Sequence, residues 1–304
     1  TTWLSALALL APVLVMLLAG VGAPADLFVH LWQTVLPDYI LNTLLLGLLV
    51  VVLSLCFGVP AAIIISQTDV AAKKYLRWLL LLPLAMPAYL VAYLYTDLFD
   101  YAGPVQRFLR AAFGWSTPAD YWFFDLRTLP GAAVILALVL FPYVYMLART
   151  AFEQQDQNLF RASRLLGLSA SQSFIKIGLP LARPAIAVAA SLVLMETLAD
   201  FATVQYFAVN TLTTAIYDTW LGYGDLTSAN ALASVLMLFI FITVVAEQKS
   251  RAGQRHQSNR PAKQREMIVL SRWQQLWAGS FCWFLVVAVF VLPLTLLLHM
   301  AFEY

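Results

Sequence analysis

The sequence predicts an all-α fold, a polytopic transmembrane helical bundle. Of its 304 residues, 62% are hydrophobic and only 11% are charged, a composition far from that of soluble domains. Seven apolar runs approach or exceed the roughly 20 residues that a helix needs to cross a bilayer. None alternates as β-barrel strands do, and a helix satisfies its own backbone hydrogen bonds in lipid. We therefore expect membrane-spanning helices.

The predicted spans follow one another along most of the chain. We place them near residues 3–22, 40–65, 77–99, 131–149, 185–208, 230–247 and 275–298. The first run ends in small residues, like a signal-peptide cleavage site, but no basic segment precedes it and it exceeds a usual signal core. We interpret it as an uncleaved anchor.

Prolines interrupt two of these runs. Proline lacks a backbone donor, so we expect kinks or hinges at Pro83 and Pro87 in the third run and at Pro142 in the fourth. Such kinks are common in membrane helices, so a static bend is the alternative to a hinge. Tyr89 and Tyr93 share one face of the third run. We expect them either to line a translocation path or to anchor the helix at the membrane interface.

The basic residues predict the orientation of the chain. Segments 66–77, 149–183 and 248–272 carry 15 of the 18 Lys and Arg residues, and the alternate loops carry three. Because cytoplasmic loops are enriched in Lys and Arg, we expect these three segments on the cytoplasmic side. The opposite segment 100–130 is rich in aromatic rings, which favour the lipid headgroup layer. We expect it on the outward-facing surface of the membrane. The alternative is that these rings stack on a ligand.

Two carboxylates interrupt the fifth run. Glu196 and Asp200 are four residues apart and would share one face of a helix. Charged groups at membrane depth usually face a bundle interior or an aqueous path, so one reading is a translocation path for a cation. The alternative is that both are neutralised, paired or near the outer end of a tilted helix.

Several kinds of chemistry are excluded or unsupported by the sequence. No Lys follows a Gly directly, so this chain contains no phosphate-binding GxxxxGK[ST] loop. We expect no enzyme activity and no cofactor bound by this chain. The three histidines lack ligand spacing, and both cysteines lie in apolar runs, so we expect no metal site. A net charge of +2 gives no reason to expect nucleic acid.

The polar segment 153–184 predicts two short helices with a break. Asp156 can cap the first helix, and Gly167 stands where that helix should stop. Ser169 and Gln172 have capping-box spacing for the second helix, which we expect to end at Pro180 and Pro184. We call residues 153–184 the elbow.

The elbow resembles the cytoplasmic loop of ABC importer permeases, whose pattern is E-A-A-x3-G-x9-I-x-L-P. Here Arg161-Ala162-Ser163, Gly167, Ile177 and Leu179-Pro180 fall on that register, with Arg161 where the family usually has Glu. The resemblance implies a helix that docks in a groove of an ATPase subunit. The coupling residues it implies are Arg161, Ala162, Arg164, Leu166, Gly167, Leu168, Ser169, Ala170, Ile177, Leu179 and Pro180.

A further resemblance concerns the cargo. Residues 195–207, residues 211–217 and the Asn42-Thr43-Leu44 opening of the second run are similar to ferric-iron importer permeases. This resemblance implies a bacterial inner-membrane complex with two ATPase subunits, which hold ATP and Mg, and a periplasmic binding protein. Alternatives are a permease for sulfate, thiamine, a polyamine or a phosphonate, or an ion-coupled secondary transporter that uses Glu196 and Asp200.

The chain divides into three expected parts. Residues 1–247 form a first permease domain, and the basic, turn-rich segment 248–272 forms a linker. Residues 273–304 resemble the first run, with one proline at mid-span, and predict the first helix of a second permease half. Fused permeases with two such halves belong to the family that the elbow resembles.

Overall fold

The structure of this chain is a computed structural model that describes residues 11, 13–18, 20, 25–252 and 267–303. It confirms the predicted fold class, because it is 82% helical and the described residues form no named strand. Five of the described helices are long and apolar enough to cross a membrane. A sixth span is possible if one bent helix pair is counted as one.

We number the helices α1 to α12 in chain order. In that order they are Ala25–Thr34, Leu36–Gln67, Lys73–Leu79, Ala88–Phe99, Pro104–Phe113, Leu129–Glu153, Gln157–Leu165, Ala170–Ala199, Ala202–Tyr206, Leu212–Tyr217, Leu226–Ala252 and Arg272–Phe302. Helix α8 contains a π-helical turn at Phe174–Gly178, and α12 contains another at Val287–Val291.

Four of the predicted spans are confirmed. The runs near 40–65, 131–149, 230–247 and 275–298 lie inside α2, α6, α11 and α12, each of which is longer than the run itself. The first run, 3–22, lies for the most part outside the described residues.

The third run, 77–99, is not one continuous helix. Helix α3 leads into a 3-10 turn at Leu82–Ala85, and α4 starts after it at a bend of 91° between the two parts. Pro87 directly precedes α4 with φ −59° and ψ 133°, an extended backbone that a helix cannot contain. The interruption expected at Pro83 and Pro87 is therefore present, but as a sharp break rather than a kink.

The fifth run also differs from its prediction of 185–208. Helix α8 starts at Ala170 and ends at Ala199, where Asp200 takes an extended backbone with ψ 127°. The remaining residues form the short helix α9. Apolar composition continues past Ala199, so hydropathy alone could not locate this end.

The centre of the bundle is α6. In its most apolar stretch 72% of the residues are buried, against 33% or fewer in the other four long helices. It packs closely against α2, where a Cβ added to Gly58 would lie 2.6 Å from Val144 Cβ. Only a glycine permits this approach of the two backbones. The outer helices leave apolar faces exposed, as expected of surfaces that meet lipid.

The last helix packs on the rest of the bundle. Tyr95 Oη on α4 donates a hydrogen bond to the carbonyl oxygen of Ala288 in α12. Before α12, residues 267–270 run beside the end of α2, where Ile268 N donates to Gln67 O at 2.8 Å and Leu270 N to Asp69 Oδ1 at 3.0 Å. The expected linker 248–272 begins inside α11, and its residues 253–266 lie outside the described residues.

Candidate functional site

The first helix of the elbow, α7, has the predicted ends. Asp156 Oδ1 accepts a hydrogen bond from Asn158 N at 2.9 Å and caps the start. At the end, Gly167 N donates to Arg164 O at 3.0 Å and Leu168 N to Ser163 O at 3.1 Å. Gly167 has φ +86°, so these bonds form a Schellman motif. The break predicted at Gly167 is confirmed.

The second helix starts as predicted and ends elsewhere. Ser169 and Gln172 form the capping box. Ser169 N donates to Gln172 Oε1 at 3.0 Å, and Gln172 N donates to Ser169 Oγ at 3.2 Å. The expected end at Pro180 and Pro184 is wrong, because α8 continues to Ala199. Pro180 is the second residue after the π-helical turn and lies inside this helix. The elbow and the fifth span therefore share one helix.

Buried contacts fix the elbow to the core helix α6. Gln155 Nε2, just beyond the end of α6, donates to Gly178 O at 2.7 Å, and both groups are buried. Within the elbow, Ser163 Oγ donates to Ser173 Oγ at 2.7 Å. The rings of Phe152 and Phe174 pack at 5.2 Å between their centroids. A shift of the elbow must therefore disturb α6, α8 or both.

The tip of the elbow is apolar and exposed. Leu165 is 90% exposed and Leu166 is 84% exposed, next to the exposed Gly167. Three basic residues, Arg161, Arg164 and Lys176, are also exposed, and residues 157–178 contain no Asp or Glu. Of the other expected coupling residues, Ala162 and Ser169 are exposed, and the half-buried ones are Leu168, Ala170, Ile177, Leu179 and Pro180. Exposed leucines on a segment that carries three exposed cations form a surface suited to a partner.

A cavity of about 350 Å³ lies beside the elbow. Arg161 and Arg164 line it from α7, and Gln67 lines it from the end of α2. Residues 267–269, which follow the expected linker, line the remaining side. No local pattern could predict this contact, because it joins segments about 100 residues apart.

A second cavity, of about 230 Å³, contains both predicted carboxylates. Glu196 lines it from within α8, whereas Asp200 lines it from the position directly after the helix end and does not continue α8. Asp200 instead caps α9: its Oδ1 accepts from Thr203 N at 3.0 Å and from Val204 N at 3.1 Å, and its Oδ2 accepts from Thr203 Oγ1 at 2.9 Å. The two carboxylates still face one space, which we call the acidic cavity.

Two residues of the acidic cavity were missed by sequence reasoning. Tyr143 follows Pro142 in α6, and Met86 lies between the two prolines of the broken span. Only the tertiary packing of α6, α8 and the 3-10 turn brings them together. The available signal was their position next to expected hinges.

The predicted tyrosines and hinges have mixed outcomes. Tyr89 and Tyr93 are exposed on α4 and do not line the acidic cavity; Tyr93 contacts Tyr206 at 6.1 Å between ring centroids. Pro142 lies inside the continuous helix α6. A hinge role for Pro142, and for Pro83 and Pro87, stays a prediction.

Comparisons with known proteins agree with this geometry. A family of proteins described as "Binding-protein-dependent transport system inner membrane component" matches residues 54–248. Similar curated proteins include a putative ferric transport system permease protein of Haemophilus influenzae, 28% identical over 220 residues, which cover 71% of this chain and 34% of that protein. The maltose/maltodextrin permease protein MalF of Salmonella typhimurium is 31% identical over 141 residues, which cover 46% of this chain and 27% of MalF.

The chain thus spans about a third of the length of these curated relatives. Solved structures of similar fold include a bacterial ABC transporter involved in the import of alginate, with a TM-score of 0.63 at 20% identity over 84% of this chain and 93% of that one. Another is the MetNI methionine ABC transporter, with a TM-score of 0.52 at 20% identity over 76% of this chain and 98% of that one.

Proposed function

This chain belongs to the family of binding-protein-dependent transport system inner membrane components, and we propose that it is a permease part of an ATP-driven ABC importer. The elbow carries the proposal. Its exposed Leu165 and Leu166 are presented by a defined helix break, and its second helix continues into a membrane span. A partner that moves the tip therefore acts on the membrane bundle through only the short break between α7 and α8.

Helix α8 supplies the proposed mechanical connection. Its 30 residues extend about 45 Å, from the elbow at Ala170 to the acidic cavity near Glu196. Gln155 connects the same region to the core helix α6. Movement of the elbow as a rigid body would then change the surroundings of Glu196, which is a physical route for alternating access.

We propose that the partners are two ABC ATPase subunits, which bind ATP and Mg, and a periplasmic substrate-binding protein. Such a binding protein is present in one solved structure of similar fold, an alginate transporter in complex with a periplasmic protein. The elbow and the linker 248–272 would face the cytoplasm, as the 15 basic residues of the inner segments favour. Residues 273–304 would start a second permease half, consistent with relatives that are much longer than this chain.

The groove that receives the elbow should be apolar with an acidic rim. Leu165 and Leu166 need an apolar floor, and the +3 charge of residues 157–178 needs carboxylates around it. The resembled family usually has Glu at the position of Arg161. We therefore propose that the matching ATPase has a negative group facing Arg161.

Ferric iron is the cargo we propose. The ferric permease relative matches 71% of the chain, the widest coverage among the relatives described above. The acidic cavity adds chemistry, because carboxylate oxygens suit a hard cation. Asp200 is occupied as a helix cap, so Glu196 is the better candidate for transient contact. The second candidate cargo is an oligosaccharide, which the match to MalF favours.

Uptake of labelled ferric iron tests this proposal. Cells that lack the gene, complemented with the complete protein, should regain ATP-dependent uptake that excess maltodextrin does not reduce. Glu196→Gln should lower the uptake rate about 5- to 10-fold, which corresponds to about 1 to 1.4 kcal/mol, while the exposed control Asp26→Asn on α1 should not. Restored maltodextrin uptake without iron uptake would overturn the iron proposal and keep the permease.

A further inference from the structure

The largest of the cavities described lies far from the elbow, in the segment that follows α4. It measures about 550 Å³, within the range of small-molecule sites, and is not part of the proposed transport path. Six aromatic residues line it: Phe99, Tyr101, Tyr121, Trp122, Phe123 and Phe124. We call it the aromatic cavity.

Hydrogen bonds and ring stacking fix its walls. Tyr121 stacks on Trp115 with ring centroids 4.7 Å apart, and its Oη donates to Gln106 Oε1 at 2.5 Å. Gln106, which is buried, donates in turn to Phe99 O at 2.8 Å. Phe123 and Phe124 stack at 4.6 Å. The rings are therefore held in position before any ligand arrives, which lowers the entropic cost of binding.

The charge of the lining favours a cation. Its acidic and basic residues are Asp100, Asp125 and Arg127, which sum to −1. Arg127 lies 3.8 Å from Asp100, so this pair is nearly neutral. Asp125 accepts a hydrogen bond from Arg127 N at 2.8 Å, and its exposed carboxylate supplies the excess negative charge.

Rings in this segment already hold a cation. The Arg110 guanidinium lies 4.0 Å from the centroid of the Tyr101 ring, a cation–π contact, and Tyr101 lines the cavity. Cages of aromatic rings are the common recognition element for methylated ammonium groups. A bare metal ion fits poorly, because no group of three or more His, Cys, Asp or Glu within the described part of the chain could hold one. An anion would meet two carboxylates.

We propose that the aromatic cavity binds the ammonium group of a small organic ligand, with Asp125 as its counter-charge and the rings as its cage. Two sources offer this chemistry. One is a zwitterionic lipid headgroup, since the aromatic residues of this segment favour the headgroup layer. The other is a free amine in solution. Neither depends on the cargo or on the ATPase partner of the proposed permease.

Binding of tetramethylammonium and ethanolamine to the full-length protein in lipid nanodiscs tests the proposal. Saturation-transfer NMR should detect both probes on the wild type. Asp125→Asn and Phe124→Leu should each weaken binding about fivefold, the size of one lost cation–π or ion-pair contact. The matched control is Asp97→Asn, an exposed carboxylate on α4 that does not line the cavity.

Lipid composition separates the two sources. If phosphatidylethanolamine nanodiscs suppress probe binding and phosphatidylglycerol nanodiscs do not, the lipid headgroup occupies the cavity. Equal binding in both supports a free amine. The proposal is overturned if neither probe binds in phosphatidylglycerol nanodiscs, or if Asp125→Asn and Phe124→Leu bind as the wild type does.

Discussion

At the scale of single residues, Gly167 has the clearest link from sequence to function. Its φ of +86° is a conformation that L-residues rarely adopt, and among the described residues no atom beyond its chain neighbours lies within 4 Å of the place a Cβ would occupy. Space does not require a glycine here; the backbone conformation does. A substitution therefore acts on the angle between the two elbow helices and on little else.

Gly167→Ala should destabilise the elbow by about 1 kcal/mol and lower ATP-dependent transport several-fold, while nucleotide binding by the ATPase persists. Gly224→Ala is a matched control, because Gly224 also has a positive φ, of +69°, and open space around it, but lies outside the elbow. Transport assays on both variants in vesicles with known protein content check this. Equal losses of transport in the two variants would contradict a special role of Gly167 in coupling.

The charge of Arg161 gives a second prediction at this scale. Arg161→Glu should weaken association with the ATPase about 2- to 5-fold at low salt, as expected for one rim charge pair of up to about 1 kcal/mol, and the difference should shrink as salt rises. Lys249→Glu, near the end of α11, is the control. The affinity of both variants for the ATPase, measured across a salt series, tests this prediction. A gain in affinity for Arg161→Glu would indicate a basic groove instead.

Capping residues were predictable because their signals are local. Asp156, Ser169 and Gly167 act on backbone groups within three or four positions, so the sequence alone specified their roles. The capping role of Asp200 was not foreseen, because it depends on where α8 ends and hydropathy does not locate that end. Tyr143 was missed because its contact with the acidic cavity is purely tertiary.

At the scale of helices, similar prolines have different effects. Pro87 directly precedes a helix across a 91° break, whereas Pro142 and Pro184 lie inside continuous helices. A long helix tolerates proline when neighbouring groups compensate for the lost hydrogen bond, and α6 is packed on most sides. Sequence therefore located the interruptions without predicting their size, and the spans without their exact ends.

The connection between α6 and α8 can be cut with one change. Gln155→Leu leaves the buried carbonyl of Gly178 without its donor and should cost about 1 to 3 kcal/mol. We expect a lower melting temperature and less cargo moved per ATP hydrolysed. Gln154→Leu, an exposed neighbour, should change neither quantity. If Gln155→Leu keeps the wild-type ratio of transport to hydrolysis, coupling does not pass through this bond.

At the scale of the whole molecule, the fold class and most spans followed from composition. What composition could not supply is the arrangement: α6 at the centre, α3 and α4 broken, and α12 packed on α4 through Tyr95 and Ala288. The last helix, which the sequence predicts to begin a second permease half, packs directly on the preceding bundle. Apolar helices carry little information about their neighbours, because lipid and protein interiors are similarly apolar.

This packing predicts that α12 stays bound to the rest of the bundle when the covalent linker is cut. A protease site inserted between residues 253 and 266 and then cut should leave the fragment that contains α12 bound to the first part in mild detergent. Co-purification on a tag at the other end of the chain measures this. Separation of the two pieces under these conditions would show that the contacts of α12 are too weak to hold it.

The contact of residues 267–269 with the elbow cavity has a consequence for biosynthesis. The elbow leaves the ribosome early, but one wall of the adjoining cavity consists of residues that are made much later, after the linker. A nascent chain that stops before residue 267 therefore presents an incomplete inner surface. Order of synthesis would then postpone completion of this surface until residues 267–269, which lie just before α12, have been made.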